Sequence, residues 1–209
     1  MSMAPLFLPR DADGSPLRPA VFIDKDGTLV RNVPYNVDPA LLQFMPAAPE
    51  ALAALAAEGF ALVVVTNQSG LAQRRFTRAQ WEELAAALRE RLHAQAGVEL
   101  TDLLHCPHAP GEDGLPMCPC RKPAAGLLMQ AARRHGLDLE RSWMVGDTLD
   151  DIEAGRRCGC RTVLFDSGGE TVWRRAPLRA PHRVLTDWVD VAELIVADHR
   201  GLDIRAGIP

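Results

Sequence analysis

The chain has 209 residues, 47% of them hydrophobic, and a formal net charge of −4 at pH 7. This length and apolar content predict one globular domain with a full core, and the acidic balance argues against a nucleic-acid-binding surface. No apolar run approaches the length of a membrane span, and the first residues lack the pattern of a signal peptide. We therefore expect a cytoplasmic protein without a membrane partner.

Hydrophobic runs and helical patterns alternate along the chain. Strands are predicted at residues 21–24, 61–65, 102–105, 143–145, 162–165 and 184–185, and helices at residues 47–58, 77–95, 124–135, 148–158 and 187–199. The alternation predicts a parallel sheet with helices on both faces, a three-layer α/β/α, Rossmann-like fold. We expect residues 1–20 to form an irregular arm, residues 21–199 a single domain and residues 200–209 a tail. No space remains between the first two strands for a large cap domain.

The first predicted strand ends in Asp24 and Asp26, which Gly27 and Thr28 follow. Side chains two residues apart in an extended segment point the same way, and open α/β sheets bind ligands at the carboxyl ends of their strands. Two acids directed into one crevice repel each other, and a cation is the usual remedy. One acid can then act as a nucleophile and the other as a proton carrier. The alternative is an exposed acidic turn.

The string D-x-D-G-T-L at residues 24–29 resembles the first motif of the haloacid dehalogenase superfamily of phosphohydrolases. The resemblance implies the fold of that superfamily. It also implies that Asp24 is the nucleophile, which becomes an aspartyl-phosphate, and that Asp26 is the general acid and base.

The second predicted strand ends in Thr66 and Asn67 and leads to Gly70. The first two side chains can donate hydrogen bonds to phosphoryl oxygens, and the glycine permits close approach of the backbone. We therefore predict that Thr66 and Asn67 bind phosphate. The alternative is a polar strand-to-helix turn with a capping hydroxyl.

The loop at residues 106–120 combines three thiols with one imidazole, from Cys106, His108, Cys118 and Cys120. Such a set supplies a closed tetrahedral zinc site. The loop is rich in Pro and Gly and cannot order itself by burying apolar surface, so we expect the zinc to be structural. A disulfide is the alternative, but it gives His108 no role and does not suit a cytosolic protein.

Arg121 and Lys122 follow the zinc loop directly, and Asp147 ends the fourth predicted strand. The same resemblance implies that Lys122 steadies the phosphate and the charge of the nucleophile. It also implies a Mg²⁺ site built from the carboxylates of Asp24 and Asp147 and the backbone carbonyl of Asp26. We expect Arg121 to bind substrate beside the lysine.

Two further pairs have a structural interpretation. Asp150 and Asp151 begin a predicted helix, where acids favour the positive end of the helix dipole. The resemblance gives Asp151 a supporting role at most. Cys158 and Cys160 could form a second metal or redox pair, but small buried residues at a helix end are the favoured interpretation.

The zinc cluster and the R-K-P sequence at residues 121–123 narrow the resemblance to the histidinol-phosphatase and heptose-bisphosphate-phosphatase branch. The stretch T-N-Q-S-G-L-A at residues 66–72 is more similar to the D-glycero-D-manno-heptose 1,7-bisphosphate 7-phosphatases. The chain departs from the pattern at residues 73–75, where Arg-Gly-Tyr is usual, and at Lys25 and Thr148. These positions are expected near the part of the substrate that is not transferred.

The resemblance implies a Mg²⁺-dependent phosphomonoester hydrolase that acts on a small phosphorylated sugar or amino alcohol. A heptose 1,7-bisphosphate is the favoured substrate, and histidinol phosphate is the alternative. A polynucleotide 3′-phosphatase and a zinc-organised binding module with an inactive site are further alternatives. The intact acids and Lys122 disfavour the binding module. We expect a monomer without a nucleic-acid partner.

Overall fold

A computed structural model of the chain describes residues 14, 16–112 and 114–202. Within them, the strands are β1 (Arg18–Ile23), β2 (Ala61–Asn67), β3 (Asp102–Cys106), β4 (Leu137–Gly146), β5 (Arg161–Phe165) and β6 (Arg183–Leu185). The α-helices are α1 (Ala48–Ala57), α2 (Arg78–Ala96), α3 (Gly126–His135), α4 (Leu149–Arg157) and α5 (Trp188–His199). Most of the expected arm and tail lies outside the described residues, but β1 begins at Arg18, inside the stretch expected to be irregular.

The six strands form one parallel sheet in the order β3-β2-β1-β4-β5-β6. Strand β1 lies in the middle, where Phe22 is in register with Val63 of β2 and Met144 of β4. The chain crosses to opposite sides of β1 for β2 and for β4, so the strand order reverses beside β1. This switch point opens a crevice at the carboxyl ends of the central strands. Asp24 directly follows the strand that ends in this crevice.

Alternate residues of the sheet pack into cores on its two faces. Val21 and Ile23 face a core that includes α1, α2 and α5. Phe22 belongs to a second core on the opposite face, with residues of α3 and α4. Two helical layers around a parallel sheet confirm the predicted three-layer α/β/α fold.

The described segment between β1 and α1 is a loop that contains a short 3-10 helix, Pro39–Leu41, rather than a cap domain. Helix α2 begins after Thr77, which caps it: the Thr77 side chain accepts a hydrogen bond from the backbone N–H of Gln80. Among the described residues, no helix is both long and apolar enough to cross a bilayer.

Strand β4 is longer than predicted because its pairing with β1 is interrupted and then resumes. Arg18 is in register with Leu137, and the register shifts between Pro19 and Val21. Ser142 fills the irregularity, since its Oγ accepts from the backbone N–H of Ala20 at 2.8 Å. The residues at this bulge are polar, so the first half of the strand has no apolar run that would have predicted it.

Candidate active site

A cavity of about 260 Å³ lies at the carboxyl ends of the central strands. It brings together every residue predicted for catalysis, phosphate binding and magnesium: Asp24, Asp26, Thr66, Asn67, Arg121, Lys122 and Asp147. These residues lie at the end of β2 or directly after β1, β4 and the zinc loop. The cavity is polar because parallel strands deliver their terminal side chains to one edge of the sheet.

The Lys122 ammonium lies at the base of this cavity and is buried. Its Nζ contacts Oδ1 of Asp24, lies 2.6 Å from Oδ1 of Asp151 and donates to the carbonyl oxygen of Val65 at 2.8 Å. Burial lowers the pKa of Lys122, but the carboxylates of Asp151 and Asp24 outweigh it and hold the pKa above its ordinary value. The lysine therefore stays charged next to the predicted nucleophile.

Three buried carboxylates, those of Asp24, Asp147 and Asp151, have oxygens within 4.8 Å of one another. Burial raises the pKa of Asp24 to about 7; Lys122 opposes this rise, and the charges of Asp151 and Asp26 add to it. Burial, followed by the charges of Asp24 and Asp151, raises the pKa of Asp147 to about 8. Crowded carboxylates of this kind are relieved by a hard cation with oxygen ligands, so the donor set fits Mg²⁺.

Two glycines enclose the carboxylate of Asp147. A Cβ at Gly27, which has a φ of +85°, would lie 2.1 Å from Oδ2 of Asp147, and a Cβ at Gly169 would lie 2.0 Å from the same atom. Only glycine allows both backbones to approach so closely. Gly169 belongs to the polar segment after β5 and carries no sequence signal that would have linked it to the site.

The carboxylate of Asp26 is held by two neighbours at the mouth of the cavity. Lys25 Nζ contacts its Oδ1, and Nε2 of Gln68 donates to its Oδ2 at 3.1 Å. Lys25 is itself buried, with its ammonium 5.9 Å from the ring centre of Trp81. A carboxylate fixed at both oxygens is oriented for directed proton transfer. Sequence reasoning identified Asp26 but assigned no role to Gln68.

The side chain of Asn67 pairs with the backbone of Lys122. Its Nδ2 donates to the Lys122 carbonyl oxygen at 3.1 Å, and its Oδ1 accepts from the Lys122 N–H at 3.1 Å. Asn67 therefore positions the lysine in this structure, and its phosphate contact stays a prediction. Thr66 is buried beside it, with its Oγ1 accepting from Gln68 at 2.9 Å.

Thr148 and Asp151 form a capping box at the start of α4, which further explains why Asp151 is buried in the site. Thr148 Oγ1 donates to Oδ2 of Asp151 at 2.6 Å, and the Thr148 N–H donates to the same oxygen at 3.1 Å. The Thr-x-x-acid spacing is a readable capping signal, but nothing in it shows that the other oxygen of the acid meets Lys122. Asn32 also lines the cavity and was missed, because it lies in a loop with no periodic pattern.

The four predicted zinc ligands are brought together as one cluster. The donor atoms lie 3.3 Å apart between the sulfurs of Cys106 and Cys120 and 3.6 Å apart between those of Cys106 and Cys118. His108 approaches with Nδ1, which lies 3.3 Å from the sulfur of Cys120. Zn–ligand distances of about 2.0–2.3 Å imply tetrahedral edges of roughly 3.3–3.8 Å, so the cluster has the size of a zinc site. All five cysteines of the chain are free thiols.

The zinc loop is connected to the site through short contacts. Arg121 Nη1 donates to the carbonyl oxygen of His108 at 3.2 Å, and the N–H of Gly126, at the start of α3, donates to the carbonyl oxygen of Pro119 at 2.9 Å. A Cβ at Gly126 would lie 2.1 Å from that oxygen, so the helix and the loop touch at their backbones. The position of Lys122 therefore depends on a loop that the cluster can order.

Cys158 and Cys160 lie apart from both clusters, at the opposite end of α4. Their sulfurs are 3.7 Å apart, Cys158 is the C-cap of the helix and Cys160 is buried. Cys160 agrees with the interpretation of the pair as small buried residues, whereas Cys158 is half-buried.

The sequence is similar to a family of hydrolases and to individual phosphatases of known sequence. The sequence profile of the HAD-hydrolase-like family matches residues 119–191. The D-glycero-beta-D-manno-heptose-1,7-bisphosphate 7-phosphatase of Haemophilus ducreyi is 35% identical over 178 residues, which are 84% of this chain and 97% of that protein. The enzyme of the same name from Escherichia coli K12 is 36% identical over 174 residues, covering 82% and 87% of the two chains.

A solved structure agrees with the sequence comparisons. The D,D-heptose 1,7-bisphosphate phosphatase of B. bronchiseptica, crystallised with magnesium and phosphate, superposes with a TM-score of 0.75 at 30% identity. The match covers 86% of this chain and 99% of that one.

Proposed function

The chain belongs to the heptose-bisphosphate phosphatase family of the haloacid dehalogenase-like hydrolases, and from this membership we propose that it removes the 7-phosphate of D-glycero-D-manno-heptose 1,7-bisphosphate. That it is a phosphatase confirms the sequence-based prediction. The relatives named above act on this sugar, and the chain matches nearly the whole length of the H. ducreyi protein.

One observation carries the chemical part of the proposal. Asp24 is buried beside the charged Lys122, while Asp26, two residues later, lines the same cavity and is held by Lys25 and Gln68. The nucleophile and the proton carrier are thus held in place by different side chains. The positive charge of Lys122 would stabilise a phosphoryl group bound between them. This arrangement supports phosphoryl transfer, which depends mainly on positioning and electrostatic stabilisation.

In the first step, a carboxylate oxygen of Asp24 attacks phosphorus opposite the leaving oxygen. The new bond makes an aspartyl-phosphate, the bond from phosphorus to the sugar oxygen breaks, and Asp26 donates its proton to that oxygen. Lys122 binds one carboxylate oxygen of Asp24 and leaves the other to attack, and Thr66 and Arg121, which line the same cavity, can donate hydrogen bonds to the phosphoryl oxygens.

In the second step, a water molecule replaces the sugar. Asp26, now ionised, takes a proton from the water as it attacks phosphorus. The bond from phosphorus to Asp24 breaks and inorganic phosphate leaves, which restores the carboxylate of Asp24 and the proton of Asp26. The same acid therefore acts in both directions, and its fixed orientation serves both steps.

We assign the catalytic cation to the site formed by Asp24, Asp147 and the backbone of Asp26, with Asp151 close by. Mg²⁺, when bound, would neutralise the carboxylates and the developing charge on the phosphoryl oxygens. Magnesium in the B. bronchiseptica structure supports this assignment. We assign structural Zn²⁺ to Cys106, His108, Cys118 and Cys120, whose four donors would leave no open position for substrate. Free thiols agree with a cytoplasmic location, and we propose a monomer.

A phosphate-release assay on the purified chain tests the proposed function. The panel contains the heptose 1,7-bisphosphate, histidinol phosphate and a 3′-phosphorylated oligonucleotide. We expect the highest kcat/KM for the heptose, release of one phosphate per molecule and a sugar 1-phosphate as product. Activity should disappear when divalent ions other than zinc are removed and should return with Mg²⁺ but not with Ca²⁺. Faster turnover of histidinol phosphate would reassign the substrate.

A further inference from the structure

A second cavity, of about 380 Å³, adjoins the catalytic one. The two share Thr148, Asp150 and Gly169 in their walls. The tip of the zinc loop, at residues 114–116, forms another part of the wall, and residues 170–172 and 174 contribute to the rest. The volume is that of a small-molecule site. A substrate with its reacting phosphate in the catalytic cavity could therefore extend its other end here.

The wall after β5 is attached to the site at both of its ends. At one end, Gly169 packs against Asp147, and Oε2 of Glu170 accepts from the N–H of Leu149 at 2.8 Å. At the other end, Arg179 pairs with Asp150 at 2.5 Å and with Glu153 at 2.7 Å. Residues 171–178 thus form an arch over the first turns of α4.

Three of the four described ionic side chains that line the second cavity have polar partners. Asp150 and Arg179 form an ion pair with each other. The two carboxylate oxygens of Glu170 accept backbone hydrogen bonds from Leu149 and Val172, each at 2.8 Å. Arg174 is exposed in the arch, and within the described residues its guanidinium forms neither an ion pair nor a hydrogen bond. Among the described ionic side chains that line this cavity, Arg174 is the one that has neither an ion pair nor a side-chain hydrogen bond, and the carboxylate of Glu170 is held by backbone N–H groups alone.

We propose that the second cavity binds the non-transferred end of the substrate and that Arg174 binds an anionic group there, such as the second phosphate of a sugar bisphosphate. This inference rests on the proposed function. A guanidinium matches phosphate geometry through paired N–H donors. Thr148, Asp150 and Gly169 line both cavities, so one substrate molecule could contact both regions.

The test compares Arg174→Gln with Arg175→Gln. Arg175 is the neighbouring exposed arginine, but it lines a different, apolar cavity beside Trp173. For each variant, kcat/KM is measured on the heptose 1,7-bisphosphate and on the heptose 7-phosphate. We expect Arg174→Gln to reduce the preference for the bisphosphate over the monophosphate by about 10- to 100-fold, mainly through KM, because one charge-assisted contact is lost. Arg175→Gln should keep the preference of the parent.

Fructose 1,6-bisphosphate and fructose 6-phosphate provide a second pair of probes. If the parent turns over the fructose pair faster than the heptose pair, the heptose assignment fails, and the preference is then measured on the fructose pair. A smaller preference in Arg174→Gln alone, on whichever pair is faster, supports the anion site. Equal losses on bisphosphate and monophosphate, an unchanged preference, or the same loss in Arg175→Gln would each overturn it.

Discussion

The ammonium of Lys122 lies 2.6 Å from Oδ1 of Asp151, which ties the end of the zinc loop directly to the first turn of α4. The same ammonium contacts Asp24, at the end of β1. One buried cation therefore joins three separate elements of the fold at the point where the nucleophile sits. The rate should depend on Asp151 even though this residue need not touch substrate.

Asp151→Asn should lower kcat by about tenfold or more and the free energy of unfolding by about 1–3 kcal/mol. The amide keeps the shape of the acid but loses the charge that faces Lys122 and weakens the cap of α4. The matched control is Asp187→Asn, since that carboxylate caps α5 and lines neither the catalytic nor the second cavity. Phosphate release and urea unfolding measure the two effects. A similar kcat in both variants would remove the positioning role of Asp151.

Asp24→Asn should abolish turnover, by a factor on the order of 10³ or more, and leave the fold intact. The amide is a poor nucleophile, and it relieves the crowding of the buried carboxylates, so unfolding in the absence of metal should need at least as much urea as in the parent. Phosphate release and circular dichroism check the two expectations. Activity well above background would exclude attack by Asp24.

Gln68→Met should lower kcat by about tenfold, because Asp26 loses one of the two groups that orient it. The hydrogen bond at stake is the 3.1 Å contact from Nε2 of Gln68 to Oδ2 of Asp26. Gln95→Met, at an exposed position of α2 that does not line the catalytic cavity, is the control. KM should change less than kcat in the Gln68 variant. A change confined to KM would mean that Gln68 acts on substrate binding instead.

Cys118→Ser should remove bound zinc. It should lower kcat/KM strongly and the free energy of unfolding only slightly. One ligand of the cluster is lost, so the loop at residues 106–120 should loosen and Lys122 should lose its fixed position. The sheet core does not depend on this loop. Cys158→Ser, outside the cluster, should keep about one zinc per chain, as one closed four-ligand site requires. Elemental analysis and kinetics provide the comparison, and a fully active zinc-free Cys118→Ser protein would contradict it.

The stability of the chain should fall at mildly acidic pH through His182. Thr162 N–H donates to Nδ1 of His182 at 2.9 Å, and Arg156 Nη1 lies 2.7 Å from its Nε2, so an imidazolium would face donors at both nitrogens. Burial, followed by the charges of Arg156, Arg161 and Arg183, lowers the pKa of His182 below 6.5. The folded state therefore favours the neutral ring, and its contribution is present above pH 6.5 and is lost as the pH falls through the lowered value.

His182→Ala measures this contribution by urea unfolding. It should cost about 1 kcal/mol at pH 7.5, and the difference from the parent should shrink at pH 5.5. His182→Asn should recover part of the stability at pH 7.5, because its amide oxygen can accept the hydrogen bond from Thr162. A difference between parent and Ala variant that stays constant with pH would show that the ring does not titrate as expected.

The order of elements and most of the site were predictable from the sequence because both depend on local signals. Apolar runs that end in polar residues located β1 and β2, and the helical pattern at residues 77–95 located α2. Asp24 and Asp26 are close in sequence, and parallel strands bring their carboxyl ends to one edge. The proximity of Asp24, Thr66 and Asp147 was therefore predictable from the strand pattern alone.

Contacts made by single side chains across the fold were not predictable in this way. Asp151 has the sequence context of an ordinary helix cap, and only the structure brings its second oxygen to Lys122. Gly169 lies in a polar stretch that has no hydrophobic periodicity. It allows the backbone to pack against Asp147, because a Cβ at this position would lie only 2.0 Å from Oδ2 of Asp147. The paired hydrogen bonds between Asn67 and the backbone of Lys122 likewise join residues that no pattern connects.

The strand order has a consequence for the synthesis of the chain. A ribosome makes β1 first, then β2 and β3 on one side of it, but the other neighbour of β1 is β4, which begins only at Leu137. Until then, one edge of the nucleophile's strand keeps its backbone N–H and C=O groups unpaired, as a template for other chains. Fragments that stop before Leu137 should therefore aggregate when they are produced in cells, whereas the full-length chain, with β1 enclosed on both sides, should not.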